Sequence, residues 1–463
     1  MTITDHHAMD TIFALSSASG KAGVSVIRVS GPKAWESLAV LTKDQTQPQP
    51  RAAKVMALMN PQDRQTENAI IDLALVIGFK APASFTGEDV IEYHCHGSLA
   101  IVEEMLAVLS QMGGHRLAQH GEFTRRAFEN GKLDLTEAEA IADLIDAETK
   151  AQKEQALHQM GGSLSSLYNG WAEDLTRALA YVEAIIDFPD EDVPDTETAK
   201  ALPAIEKLQH EMSEHLNDNR QGERLRSGLQ VVIIGAPNAG KSSLVNALAQ
   251  RDVAIVSEMA GTTRDVIEVH LNLGGYPVIL ADTAGLRPDQ IGESGHEGIE
   301  SEGIKRALKR ASEADLKILM FDGTAEKPDE HTLHLVDENS IILVNKIDMN
   351  PDVKNLFHVK QNTQPIFIST KTGEGVSEFL TVLTDKISKQ MSVSRETPSL
   401  TRQRHRTHLE ECHVFLKTAL EQSQPELMAQ ELRFAVNALG RITGRVDVED
   451  LLDVIFKDFC IGK

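Results

Sequence analysis

The spacing of apolar positions along the chain changes character three times. From Val24 to Ser30 apolar and polar residues alternate (Val-Ser-Val-Ile-Arg-Val-Ser), the period of a half-buried strand. The segment Thr11 to Gly31 therefore reads as strand, glycine-bearing turn (Gly20, Gly23), strand, after a loose start over residues 1–9. Residues 43–54 are polar and proline-bearing and read as a loop. Further strands are expected over Ala69–Phe79 and Asp89–His96, the latter opened by a turn at Ser84–Asp89. Ser98 to Met112 has helical spacing and stops at Gly113-Gly114. From Leu133 the period becomes helical throughout. A capping box at Thr136–Glu139 opens one long helix to Met160, and Gly161-Gly162 interrupts it. A second helix runs from Leu164 to Ile186, and a third from Thr198 to Arg226. Residues 229–385 then alternate short apolar strands with helices: Leu229–Ile234, Val266–Leu273, Val278–Ala281, Leu316–Phe321, Ile341–Val344 and Ile366–Ile368, the signature of a parallel α/β sheet. After a polar stretch at 388–399 the pattern is helical from Leu400 to the end. The chain divides into an α+β block (1–125), a helical block (126–227), an α/β block (228–386) and a second helical segment (387–463), with the α/β block inserted into a helical domain.

Chemistry concentrates in the α/β block. Gly235-Ala-Pro-Asn-Ala-Gly-Lys-Ser242 lies between an apolar strand and a helical pattern, the context of a phosphate-binding P-loop. Its glycines bare backbone N–H groups toward anionic oxygens, and the following helix adds its positive end. Asn238, Ala239, Gly240, Lys241, Ser242 and Ser243 would cradle the phosphates, with Lys241 on the β- and γ-phosphates and the Ser242 hydroxyl on Mg²⁺. Four further short motifs follow, in the order a guanine-nucleotide hydrolase needs. Gly261-Thr-Thr-Arg-Asp265 offers a threonine to Mg²⁺. Asp282-Thr283-Ala284-Gly285 closes a strand, with Asp282 on Mg²⁺ through water and the Gly285 N–H on the γ-phosphate. Asn345-Lys346-Ile347-Asp348 ends another strand, and Asp348 can accept from guanine N1–H and its amino group, a pair adenine does not present. Ser369-Thr370-Lys371 would back the base. The position after Gly285, glutamine in Ras-like proteins, is Leu286, so water must be oriented by another group. Glu293, Glu297, Glu300 and Glu302 are the candidates, and the Asn238 carbonyl can ligate a monovalent cation beside the phosphates.

Composition narrows the setting. A length of 463 residues suits about three domains. Three cysteines make no disulfide framework, and no run of apolar residues reaches membrane length, so the expected setting is cytoplasmic with no membrane partner. A net charge of -23 argues against a chain that grips nucleic acid through a broad basic surface of its own. His94 and His96 share one face of a strand but have no second ligand cluster, and read as ordinary packed or surface histidines.

Taken together these residues closely resemble the bacterial tRNA-modification GTPase family MnmE, also called TrmE. The resemblance spans nearly the whole chain: the P-loop, Gly261–Asp265, Phe85-Thr-Gly-Glu-Asp89, Gly121-Glu-Phe123, Leu133-Asp-Leu135, Glu137–Asp146, Phe188-Pro-Asp-Glu191 and the terminal Cys460-Ile-Gly-Lys463. It implies a multidomain fold: an α+β N-terminal folate-binding and dimerisation domain, an α-helical domain in two chain segments, and an inserted α/β P-loop G domain. It implies K⁺ bound by Asn238 with the backbone oxygens of Ser257 and Met259 and with Thr262, where an arginine finger's charge would otherwise stand. Thr263 would be the Mg²⁺ threonine beside Ser242, and Glu300 the residue that orients water. Arg28, Glu92, Lys132 and Lys463 would contact 5-formyl- or methylene-tetrahydrofolate. A homodimer is implied, closing G domain on G domain. So is a flavoprotein partner of the MnmG (GidA) family in a heterotetramer or larger assembly, with FAD on that partner only and tRNA bound through the complex. Together the two would build a 5-(carboxymethyl)aminomethyl-type group on the wobble uridine of certain tRNAs. Two other classes fit a P-loop GTPase. A ribosome-assembly switch would carry a basic RNA-binding module or a second G domain, and neither is visible. A folate-binding scaffold whose GTPase only regulates assembly would leave tRNA unmodified. Cys460 reads equally as a reactive thiol or as a packed terminal cysteine.

Overall fold

The computed structural model describes residues 10–42, 48–63, 69–187, 201–251, 253–255, 268–282, 312–357, 364–391, 398–446, 448–457 and 459–462. Within them the chain forms two compact units, one of residues 1–142, 160–173 and 436–463, the other of 143–159 and 174–435.

In the first unit the strands are β1 (Thr11–Leu15), β2 (Ala22–Ser30), β3 (Ala53–Met59), β4 (Ile70–Phe79), β5 (Val90–Gly97) and β6 (His115–Leu117), in the order β3-β4-β5-β2-β1-β6. All neighbours pair antiparallel except β1 and β6. Phe13, Ile27, Val29, Val76, Ile91 and Tyr93 point to one face, where Trp35, Leu38 and Leu41 of helix Ala34–Leu41 and Met105, Val108 and Leu109 of helix Leu99–Ser110 cover them. The alternate residues of the same strands, among them Arg28 and Glu92, lie on the opposite face. The expected α+β block is present, but β3 begins inside the stretch read as loop, and helix Ala34–Leu41 was not anticipated. Both are short elements whose polar neighbours hide their period.

Helix Glu122–Glu129 follows β6, and helix Leu135–Ile145 carries Leu135 and Ala138 against Val448, Leu452, Phe456 and Phe459 near the C-terminus. The capping box falls two residues before its expected place. Asp134 Oδ1 accepts from Glu137 N–H, and Glu137 Oε2 accepts from Asp134 N–H, both at 2.9 Å. Asp outranks Thr as a cap here because it directly precedes the first buried residue, Leu135.

The expected helix to Met160 is two helices, ending at Ile145 and resuming at Lys150. At the break Gln152 Oε1 accepts from the N–H of Glu148 and of Thr149, so its side chain starts the new helix. The expected helix to Arg226 is likewise two, Ala201–Leu216 and Gln221–Ser227, split where Asn219 and Arg220 take φ of 51° and 55°. The final helical stretch resolves into Gln403–Glu421, Pro425–Thr443 and Glu449–Lys457. Helix Gln403–Glu421 lies against Ala201–Leu216, with Cys412 on Met212, His413 on Gln209, and Arg406 on Asp218 and Glu223.

The second sheet holds β7 (Leu229–Gly235), β8 (Glu268–Leu273), β9 (Tyr276–Asp282), β10 (Leu316–Asp322), β11 (Ser340–Asn345) and β12 (Ile366–Phe367), in the order β12-β11-β10-β7-β9-β8. It is parallel except at one edge, where β8 and β9 form an antiparallel hairpin around Gly274-Gly275. The fully parallel sheet expected from the pattern is corrected there: only two residues separate the strands, too few for the crossover a parallel pair requires. Both faces are buried. Val231, Ile233, Ile318, Met320, Ile341 and Leu343 meet helices Lys241–Ala249 and Val376–Gln390. Val232, Ile234, Leu319, Phe321, Ile342 and Val344 meet Val336, Val353 and Phe357. No helix among the described residues is long and apolar enough to cross a membrane.

Candidate nucleotide and folate sites

In the parallel sheet the strand order changes direction around β7, which pairs with β9 on one side and β10 on the other. Ligands of open α/β sheets bind beyond the carboxyl ends of the strands at such a point. The P-loop is built there. Asn238 at φ 63° and Gly240 at φ 103° curl the backbone before helix Lys241–Ala249 begins. A Cβ at Gly235 would run into the Met320 carbonyl oxygen, and one at Gly240 into Nδ2 of Asn345, so the two glycines are required by close approach. Lys241 is buried, and its ammonium donates to the Gly235 and Ala236 carbonyls at 2.8 and 2.9 Å, so its charge is held inside the loop's own curve. Ser242 and Ser243 occupy the first turn of the same helix.

Two strands over, beyond β10, β11 delivers the residues expected to read the base. Asn345 is 1% exposed and bonds in two directions. Its Nδ2 donates to the Ala239 carbonyl at 2.9 Å and its Oδ1 accepts from Thr370 N–H at 3.0 Å, which ties the P-loop to the loop after β12. Ser369 Oγ donates to Asp348 Oδ1 at 2.8 Å and accepts from Thr372 N–H at 3.1 Å. The carboxylate of Asp348 is thereby aimed while staying exposed to a ligand. Lys346, at φ 67°, reaches the other way, its ammonium 2.6 Å from Asp322 Oδ2 at the end of β10. Burial pushes the Asp322 carboxyl up, but Lys346 and the hydroxyl and N–H of Thr324 outweigh it and hold it below the usual carboxylate range. Asn238, Ala239, Gly240, Lys241, Asn345, Lys346, Asp348, Ser369 and Thr370 thus gather at the carboxyl ends of the strands of one sheet, with Lys371 in the same loop. Asp282 ends the neighbouring β9. Ser257, Met259, Thr262, Thr263, Thr283, Ala284, Gly285 and Glu300 lie outside the described residues, as do Glu293, Glu297 and Glu302.

The second set lies on the open face of the first sheet. Arg28 on β2 is directly opposite Glu92 on β5, and their side chains pair at 2.9 Å. The guanidinium lies near two aromatic rings, 5.5 Å from the centre of Phe85 and 5.6 Å from that of Phe123. Phe85 belongs to the turn Ser84–Asp89, which is fastened from below. Buried Arg126 reaches Glu88, Glu122 and the Asp10 carbonyl, Ser30 Oγ donates to Glu88, and Asn130 Nδ2 donates to the Thr86 carbonyl at 2.7 Å. Lys132 is exposed, its stem beside Gly87. The C-terminal tail returns to this region: Ser16 Oγ donates to the Gly462 carbonyl at 2.8 Å, and His120 bridges to Ile461. Ser16 follows β1, where Ala14 pairs with Arg28, so the tail ends beside the Arg28 strand. Lys463 itself is outside the described residues. His94 approaches Glu92, and His96 bonds Asp72 at 2.7 Å. Among the described residues, no group of three or more His, Cys, Asp or Glu could hold a metal.

Asp322 has no place in the sequence reading, and Phe85 and Phe123 stand there only as motif residues with no site role. Asp322 had a usable signal, since it closes an apolar strand as Asp282 does. The two aromatic rings lie in motifs that carry the resemblance, but their approach to Arg28 exists only across the fold.

Two family models match this chain. One, the GTP-binding protein TrmE N-terminus, covers residues 11–132, and the other, the MnmE helical domain, covers 135–460. The chain belongs to the MnmE (TrmE) family of tRNA modification GTPases. Curated proteins named tRNA modification GTPase MnmE resemble it from end to end. That of Parvibaculum lavamentivorans is 51% identical over 98% of this chain and 100% of its own length. Those of Rickettsia bellii and Paramagnetospirillum magneticum are each 48% identical over the same shares. The matched architecture has the three parts expected: α+β, helical, and P-loop α/β.

Proposed function

We propose that this MnmE-family GTPase acts on tRNA with a flavoprotein of the MnmG (GidA) family, forming a 5-(carboxymethyl)aminomethyl-type group on the wobble uridine with carbon from a tetrahydrofolate. The observation that carries this reading is the presence of two separate built sites in one family member. One is the P-loop laced through Asn345 to the loop after β12. The other is the Arg28–Glu92 pair under Phe85. A flat guanidinium near two aromatic rings, with a carboxylate and Lys132 nearby, suits a flat, hydrogen-bonding heterocycle that carries an anionic tail.

At the nucleotide site, Ser242 with Thr263 would hold Mg²⁺. Asn238, the Ser257 and Met259 carbonyls and Thr262 would hold K⁺, an all-oxygen set that suits a hard cation. Such a cation offsets charge developing on the β–γ bridge during hydrolysis. Lys241 orients the phosphates and Glu300 would align the attacking water. Homodimerisation is supported by the open face of the first sheet, where Val55 and Leu73 are 67% and 59% exposed beside Leu75. An apolar sheet face of that kind marks a partner surface.

Mass analysis of tRNA nucleosides from a strain lacking the gene tests the reading, with loss of the wobble modification expected. An unchanged nucleoside profile would remove the modifying role and leave a GTPase of other purpose. Replacing KCl by NaCl should collapse turnover and spare nucleotide affinity, and equal turnover in both salts would remove the cation. Glu300→Ala should behave like the sodium buffer. The same behaviour from Glu293→Ala or Glu297→Ala instead would move the water-orienting role there.

A further inference from the structure

The base-reading loop after β11 has a neighbour on each side, because β11 lies between β12 and β10. On the β12 side the wall is Ser369–Lys371. On the β10 side lies Asp322-Gly323-Thr324, to which nothing in the sequence assigned a task. Three contacts lace it to the base-reading loop: Gly323 N–H donates to the Asn345 carbonyl at 2.8 Å, Asn350 Nδ2 donates to the Gly323 carbonyl at 2.8 Å, and the Lys346 ammonium meets Asp322 Oδ2 at 2.6 Å. We propose that Asp322 is a positioning residue of the guanine pocket: by holding Lys346 it makes the loop after β10 the second wall of that pocket.

Three observations separate this from an ordinary surface ion pair. The carboxylate is committed on both oxygens, since Oδ1 takes the Thr324 N–H at 2.9 Å and its hydroxyl at 2.6 Å while Oδ2 takes Lys346. Asp322 is therefore fixed before Lys346 reaches it. The side chains are only 28% and 21% exposed. Lys346 also pays for its direction in backbone conformation, at φ 67°, a region residues with a β-carbon seldom occupy and one that concentrates at binding sites. A lysine held in this way contributes a fixed apolar stem and a neutralised ammonium beside the base. It is not free to swing toward the phosphates, which leaves them to Lys241.

The inference rests on guanine-nucleotide binding at this end of the sheet, and the test separates the two. Fluorescent GDP and GTP analogues are titrated into the full-length wild type, Asp322→Ala, Asp322→Asn, Lys346→Ala and the Asp322→Ala/Lys346→Ala double variant. Turnover at saturating GTP and the thermal midpoint without nucleotide are measured alongside. Asp322→Ala should weaken GDP and GTP equally, by about tenfold, the worth of one hydrogen bond to a charged group. KM should rise with them while kcat at saturation holds. Asp322→Asn, which keeps the acceptor but not the charge, should fall between. In the Lys346→Ala background, Asp322→Ala should add less than twofold, because its effect passes through that lysine. Unchanged affinity, fully additive losses, a loss for GTP well beyond that for GDP, or a loss tracked by a fall in thermal midpoint would each overturn the proposal. A wild-type protein that binds neither nucleotide would overturn the underlying reading instead, and this one with it.

Discussion

Removing the Asn345 side chain should cost this protein most of its nucleotide affinity without touching a phosphate contact. In Asn345→Ala two buried hydrogen bonds vanish, one to the Ala239 carbonyl and one from the Thr370 N–H. Each is worth about 0.5–1.5 kcal/mol net, and leaving the backbone partners unsatisfied adds desolvation, for a total of about 2–4 kcal/mol. Ala239 is fully buried, so its carbonyl has no ready access to water. The P-loop and the 369–371 loop are no longer held in register before nucleotide arrives, and the ordering cost moves into binding. At about 1.4 kcal/mol per decade, GDP affinity should drop by roughly 30- to 700-fold. Asn345→Asp separates the two halves. Its carboxylate can still accept from Thr370 but meets the Ala239 carbonyl oxygen with an anion, so it should bind no better than the alanine variant. Titration of a fluorescent GDP analogue, with the thermal midpoint measured without ligand, reads both. Affinity within threefold of wild type for either variant would refute the account of Asn345 as the tie between the loops.

Three further outcomes follow from the geometry. Gly462 sits at φ 99° with the Leu15 carbonyl oxygen where a Cβ would go, so Gly462→Ala should release the tail. Gly121 N–H, which donates to the Cys460 carbonyl, should then exchange faster by hydrogen–deuterium exchange, and unchanged protection would count against docking of the terminus. Asp143 Oδ1 takes both Arg226, just before β7, and Arg402, after the last helix of the sheet, at 2.7 Å each. Asp143→Ala should lower stability by about 1–3 kcal/mol, and adding Arg226→Ala should cost little more; additive losses in a double-mutant cycle would show the pair is idle. His215 is held down to about 4, chiefly by burial and further by Arg406 and His405, with Asp218 opposing. As pH falls below about 6.5 the unfolded chain takes up this proton first, so stability declines toward pH 4 by on the order of 3 kcal/mol. His215→Gln should flatten the chemical-denaturation stability over that window, and an unaltered slope would refute the half-buried neutral histidine.

The nucleotide site was legible because its chemistry is local. Gly235 to Ser242 is a contiguous loop, and Asn345 to Asp348 and Ser369 to Lys371 are contiguous too, each announced by an apolar strand that ends where the motif begins. Helix breaks were less legible. Residues 146–149 and 217–220 contain no glycine or proline to stop a helix, and the side chain of Gln152 and the left-handed pair Asn219 and Arg220 make the breaks. The edge hairpin of β8 and β9 was legible from its connection, since Gly274-Gly275 leaves too few residues for the crossover a parallel pair needs.

By itself the sequence determined most of the strands and helices and which loops would be expected to carry phosphate and base chemistry, because period and motif are properties of neighbours in the chain. Only the tertiary structure decided what those loops hold on to. Asn345 fastens the P-loop from 106 positions away, Asp322 fixes Lys346, Phe85 and Phe123 lie near Arg28, and the last residues return to β1. Such contacts join residues of compatible shape and charge that share no spacing, and they form only once buried apolar strands have set which loops become neighbours.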